Sequence, residues 1–164
     1  MTIRTTPQII CDILKTCMKL SADQIWIYNQ RREIPSDKKL YVVVGMMSAI
    51  PYGNNKNFST SGQDNLSQYI KEIITIDLLS YSTEVQEKYS MVLGSLVSTY
   101  SQQIQESLAL KIFPIPSSVS DVSSIEGAAL LNRIAITLPV LRKYDMLLEA
   151  NYYDDIPDFT LTNE

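Results

Sequence analysis

The side chains best placed to do chemistry in this sequence are carboxylates near its C-terminal end: Asp145, Glu149, Asp154, Asp155 and Asp158. Asp154, Asp155 and Asp158 are close enough in sequence to gather oxygens around a divalent cation, but they lack the ligand spacing and the glycine of a calcium loop. Paired carboxylates for glycoside hydrolysis would have to face one another across a cleft. A solvated acidic surface is the simpler reading, and no metal or other cofactor is expected.

The chain contains 0 histidines, which removes every Ser-His-Asp and Cys-His device and every histidine-containing metal site. Its 2 cysteines, Cys11 and Cys17, fall in one predicted helix with side chains pointing about 120° apart, so they do not pair readily with each other. They read as small apolar fillers in a protein folded in a reducing compartment. The 5 glycines are scattered, and neither a phosphate-loop nor a dinucleotide-binding fingerprint is present. An enzyme is not expected. The 10 tyrosines fit either half-buried sheet positions or contacts between proteins.

The elements that would carry these residues follow from hydrophobic period. Thr5 or Thr6 caps a first helix over Pro7 to Leu20, with Ile9, Ile13, Cys17 and Leu20 in one row and Ile10, Leu14 and Met18 in the next. Gln24 to Asn29 is a short strand. Leu40 to Ile50 is a second strand whose centre, Tyr41 to Val44, is apolar on both faces, so something must pack over each. A third strand runs through Ile73 to Leu79.

An unbroken helical pattern then extends from Glu84 to about Leu108, with Val85, Tyr89, Val92, Leu96 and Tyr100 on one stripe. Thr83 and Gln86 have the capping-box spacing. Gly94, in mid-helix, suggests close approach of a strand or another subunit. Lys111 to Pro116 is an extended edge segment, and a short helical turn is expected near Ile125 to Leu131.

From Asn132 to Tyr153 apolar residues alternate: Ile134, Ile136, Leu138, Val140, Tyr144, Met146 and Leu148 share one parity. Such a run implies either two strands bent near Pro139 to Lys143, or one strand projecting past the body to pair elsewhere.

These elements describe a single α+β domain over residues 1–164, a mostly antiparallel sheet with the N-terminal helix and one long helix packed on it. A polar insertion over about 53–66 reads as a mobile loop, and about 155–164 as a loose tail. The net charge of −4 would repel the phosphate backbone of nucleic acid rather than grip it. The longest apolar run, Tyr41 to Met47, is far short of a membrane span, and the N-terminus lacks a signal-peptide layout, so neither membrane insertion nor standard export is expected.

The run from Arg142 through Lys143, Tyr144, Asp145, Met146 and the following residues to the aromatic pair Tyr152-Tyr153 and Asp154 resembles the C-terminal strand of tailed-phage neck and tail terminator proteins. The order of elements is similar to that family as well. The resemblance implies a non-enzymatic virion protein, folded in the host cytoplasm, that forms a homo-oligomeric ring, commonly a hexamer, at the neck or tail end. Its partners would be its own copies and neighbouring neck, connector or tail proteins. DNA would pass through the lumen without sequence-specific binding.

On that reading Tyr41, Val43, Tyr152 and Tyr153 make subunit contacts, Arg142 pairs with a carboxylate, and Asn54, Asn55, Lys56, Asn57, Phe58 and Ser59 face the lumen or an adjoining ring. The alternatives are a small acidic domain that binds metal or catalyses through its C-terminal carboxylates, and a cytosolic interaction module.

Overall fold

The structure, a computed structural model, describes residues 4–28, 33–58, 63–123 and 131–149. The described residues form three helices and one six-stranded sheet of order β1-β2-β3-β6-β4, with β5 (Ser118–Asp121) also paired to β6. Strand β1 (Ile25–Ile27) runs parallel to β2 (Tyr41–Phe58); every other pairing is antiparallel. The class is α+β with a mostly antiparallel sheet.

Three strands dominate. Strands β2, β3 (Gln63–Ser80) and β6 (Asn132–Glu149) are each 18 residues long, about 60 Å at roughly 3.3 Å per residue. The strand from Asn132 is thus one continuous, projecting strand rather than two. It pairs with β3 from Gln63↔Glu149 to Ser80↔Asn132 without a register shift. Between β2 and β3 the register shifts twice, between Met46 and Ser48 and between Pro51 and Gly53, each marking a bulge. One extra residue on β2 turns the side-chain faces over, and the second turns them back.

Residues 53–58 and 63–66, expected as a loop, pair across β2 and β3 from Gly53↔Tyr69 to Phe58↔Asp64. Strong polarity hid strand structure here because strands with both faces in water have no reason to alternate.

Side chains of one parity on the sheet, Val42, Val44, Ile74, Ile76, Leu78, Ile134, Ile136, Leu138 and Val140, bury against the helices in the main core. Helix α1 (Thr6–Met18) contributes Ile9, Ile10, Ile13 and Leu14. Its capping interaction is the Thr5 amide donating to Gln8 Oε1 at 2.8 Å. Cys11 and Cys17 pack against this core as free thiols. The opposite face holds a smaller cluster of Trp26, Tyr41, Val43 and Leu79, which accounts for a β2 centre apolar on both sides.

The long helix expected from Glu84 is two helices, α2 (Glu84–Leu96) and α3 (Thr99–Ser107). Ser98 adopts extended backbone, φ −62° and ψ 157°, and its Oγ accepts from the Ser101 amide at 3.2 Å as the cap of α3. Its hydroxyl donates to the Ser95 carbonyl at 2.7 Å, so the serines at the junction supply the local bonds that compete with a continuous helix. Thr83 forms no side-chain cap; its Oγ1 donates instead to Glu87 Oε1 at 3.2 Å.

Within the protomer Gly94 marks no close approach: a Cβ added there would meet nothing within 4 Å. Gly94→Ala is therefore expected to stabilise the protein by about 0.5–1 kcal/mol, the helix-propensity difference, as an upward shift of the denaturation midpoint in urea. A loss of stability would place a neighbour against that helix face.

Candidate assembly surface

Past the end of the helical layer, β2, β3 and β6 continue as a three-stranded arm. Residues 46–57 of β2 are all exposed, among them Met46 at 54%, Met47 at 66%, Ile50 at 58% and Tyr52 at 55%. On β6, Met146 is 38% and Leu147 69% exposed. The bulges bring apolar side chains to this stretch instead of a strict alternation, and Tyr52 leans on Tyr69 with ring centroids 6.0 Å apart.

Among the described residues both margins of the arm are open. Strand β1 covers β2 only over Val42 to Val44, and no described strand lies along its outer side beyond that point. On the far side, β4 (Leu110–Ile112) covers β6 at Val140 to Arg142, and the Lys143 amide donates to the Ala109 carbonyl at 3.1 Å. From Tyr144 onward no described strand lies along β6. A long open edge bearing apolar side chains is a template for another strand, and soluble proteins normally blunt or cover one.

The arm is stiffened by cross-strand polar contacts. Ser67 Oγ donates to Asp145 Oδ1 at 2.6 Å, and Lys143 Nζ lies 2.9 Å from the same oxygen. The Ser67 hydrogen bond first, and then Lys143, hold the Asp145 carboxyl below its usual range. At the arm's root, Arg142 is 6% exposed, its Nη2 donating to the Arg4 carbonyl at 2.6 Å and Nη1 to Thr6 Oγ1 at 3.2 Å. Its guanidinium sits 4.6 Å from the centroid of the Tyr144 ring, and the Tyr144 hydroxyl donates to Glu72 Oε1 at 2.9 Å. Burial, then the Glu72 carboxylate, raise the Tyr144 phenol above its ordinary pKa.

The residues singled out from sequence fall in different places. Within the protomer Arg142 is held by a hydroxyl, a backbone carbonyl and an aromatic ring. Tyr41 and Val43 are 1% and 7% exposed in the second cluster, so their side chains are used within the protomer. Asn54, Asn55, Lys56 and Asn57 do lie on the exposed part of β2, as strand residues; the backbone of Phe58 ends that strand. Ser59, Tyr152, Tyr153, Asp154, Asp155 and Asp158, and the turn expected near Ile125 to Leu131 except for Leu131, lie outside the described residues. Met46, Met47, Ile50 and Tyr52 were not singled out, although the apolar letters continuing past Val44 without a strict alternation were the available signal.

Tyr41 packs its ring on Trp26, centroids 5.8 Å apart, and its hydroxyl donates to Asp37 Oδ1 at 2.7 Å. Burial, followed by Asp37, pushes its phenol up to about 12. A raised phenol pKa means the native state keeps a proton that the unfolded chain releases. The stability this provides is complete below the unfolded value near 10 and is lost as pH rises toward 12. Stability measured in urea should therefore fall across that window, and Tyr41→Phe should flatten the fall; an unchanged slope would assign the alkaline loss to other groups.

Among the described residues no group of three or more Cys, Asp or Glu is placed to hold a metal ion, and burial pushes the Cys11 thiol up to about 12, which keeps it protonated at neutral pH. No described helix is long and apolar enough to cross a membrane.

Neither protein-family models nor curated proteins match the chain. Among solved structures it is similar to the sheath/tube terminator of an extracellular contractile injection system, the PVC, in its extended state. The identity is 13% and the TM-score 0.43, and the match covers 100% of this chain and 66% of that one.

Proposed function

We propose that this chain is a non-enzymatic structural protein that assembles with copies of itself into a ring, hexameric in the resemblance noted from sequence, and closes the end of a tail tube at its junction with a head. The observation that carries this reading is the three-stranded arm, about 60 Å strands whose outer halves expose apolar side chains along two open edges. The two edges are different surfaces, one on β2 and the other on β6. Pairing the first of one protomer with the second of the next is a head-to-tail contact, which closes into a ring when the rotation per subunit allows it.

The placement at a tail end comes from the Arg142 to Asp154 likeness to neck and tail terminator proteins. The acidic net charge of −4 suits a channel wall past which DNA slides without adhering. Asn54, Asn55 and Asn57, neutral and exposed toward the tip of the arm, suit a lumen or an adjoining ring in the same way.

Mass measurement by light scattering, paired with electron microscopy of the purified protein, tests this directly. Annular particles with a mass that is a small multiple of 18.6 kDa are expected. A monodisperse 18.6 kDa species at every concentration, unchanged by tube fragments, overturns the reading.

A further inference from the structure

The register of the arm decides which backbone groups its two edges can offer. The Tyr28 amide donates to the Val44 carbonyl at 3.0 Å and the Val42 amide to the Gln24 carbonyl at 2.8 Å, so Val42 and Val44 turn their polar backbone groups away from β3. Both lie across from even-numbered β3 residues, Leu78 and Ile76. The same alternation, carried through the two bulges, turns Met46, Ala49, Pro51, Asn54 and Lys56 outward. On β6 the Pro139 carbonyl accepts from the Phe113 amide and the Lys143 amide donates to Ala109, so odd-numbered residues face out there. Beyond the cover of β4, among the described residues, these are Asp145 and Leu147.

The β2 edge is not equally usable along its length. An added strand needs outward residues at every second position. The bulges insert one residue too many between Met46 and Ala49 and again between Pro51 and Asn54, and Pro51 has no amide hydrogen to give. Regular spacing returns only past Gly53. That stretch lies level with the end of β6 beyond β4, since Asn55 and Asp145 both pair with Ser67. The tip of the arm thus presents two matched margins, and Met46 to Tyr52 are left to meet a neighbour through side chains.

Strand sense then fixes the contact. Strands β2 and β6 both run antiparallel to β3, so they run in the same direction as each other. A hexameric ring turns each copy by about 60° relative to the next, and sheet twist over two strand steps adds roughly 45°, whereas an antiparallel seam needs a turn of about 180°. We propose that neighbouring copies join tip to tip, with Asn54 to Asn57 of β2 on one copy lying parallel to Asp145 to Leu147 of β6 on the next. This rests on the ring reading above, and it makes each arm one repeat of a continuous sheet in which every third ladder is parallel.

The test is disulfide trapping between co-expressed, differently tagged, singly substituted full chains, so that a mixed disulfide always joins two copies. Leu147→Cys with Asn55→Cys or Asn57→Cys should give a mixed dimer on non-reducing gels. Leu147→Cys with Ser48→Cys, at the root of β2, should give at least about 10-fold less, because a disulfide needs Cα atoms within about 7 Å. Ser48, Asn55, Asn57 and Leu147 are all exposed, so these substitutions spare the protomer fold, and wild type, whose Cys11 and Cys17 pack against the core, is the blank. Mixed dimers through Ser48→Cys in place of the tip pairs, or dimers joining two copies of one variant, mark an antiparallel or two-fold contact and overturn the seam. Rings seen by light scattering with no tip link overturn the seam and leave the ring reading standing. A wild-type protein that stays monomeric throughout overturns both.

Discussion

The double substitution Ile50→Lys with Tyr52→Lys abolishes assembly and leaves the protomer folded: that is the largest effect expected from any surface change in this molecule. Ile50 and Tyr52 are 58% and 55% exposed, so in the isolated chain each lysine changes folding stability by no more than about 0.5 kcal/mol. In an edge-to-edge contact the same side chains are covered. Losing the burial of two such groups costs roughly 3–6 kcal/mol, a factor of about 10² to 10⁴ in the dissociation constant. Lysines on a strand edge also oppose pairing through charge and desolvation, which is how natural sheets protect their margins. Sedimentation velocity separates the outcomes, with Gln103→Lys on the exposed side of α3 as the control expected to assemble normally. Rings formed by the double variant would mean that β2 is not the contacting edge.

The second large effect lies in the core. Ile76 is 0% exposed, at the centre of the face on which the helices pack, with Ile74, Leu78 and Ile136 around it. Ile76→Ala removes buried methylenes and leaves a cavity that close-packed neighbours fill only partly, at a cost of about 2–5 kcal/mol. For a domain of this size that corresponds to a melting point lower by roughly 5–20 °C. Met146→Ala, on the arm and 38% exposed, serves as the comparison and should cost well under half as much in the protomer. Equal losses at the two positions would mean that the arm is as integral to protomer folding as the core.

The contrast between core and arm also explains which parts of this fold could be read from residues alone. Where one face is buried, period reports structure faithfully. Helix α1 was legible from its rows of Ile9, Ile13, Ile10 and Leu14, and β6 from the alternation of Ile134, Ile136, Leu138 and Val140. Tyr41 to Val44 announced a strand covered on both sides, and the two clusters that cover it lie on opposite faces.

Where both faces meet water, that information is missing. The asparagines of 54–57 carry no pattern, and only their partners across the ladder, Asn65 to Gln68, make them a strand. The apparent continuity of α2 and α3 had a different cause. The apolar letters kept their spacing through Val97, while Ser98 and Ser101 had chemistry that ends one helix and begins the next, and this outweighs a weak stripe.

The candidate assembly surface was legible only in outline. A strand too long for its domain pointed to pairing outside the protomer, but the tyrosines chosen as contacts were drawn by residue type. Type does not separate Tyr41, enclosed by Trp26 and Asp37, from Tyr52, whose surface faces outward.

The paired bulges in β2 impose a rule on changes of chain length. Deleting the extra residue of either bulge would remove that bulge alone: residues opposite one another share a face, so Asn54, Asn55, Lys56 and Asn57, still paired with Gln68, Ser67, Leu66 and Asn65, would keep their sides. Deleting two, one from each offset, would preserve sidedness and merely straighten the ribbon. This segment of β2 should therefore tolerate the loss of one residue or two, whereas a third deletion, with no bulge left to absorb it, would shift the register and carry the apolar margin onto the other surface, a limit on how the sequence can drift.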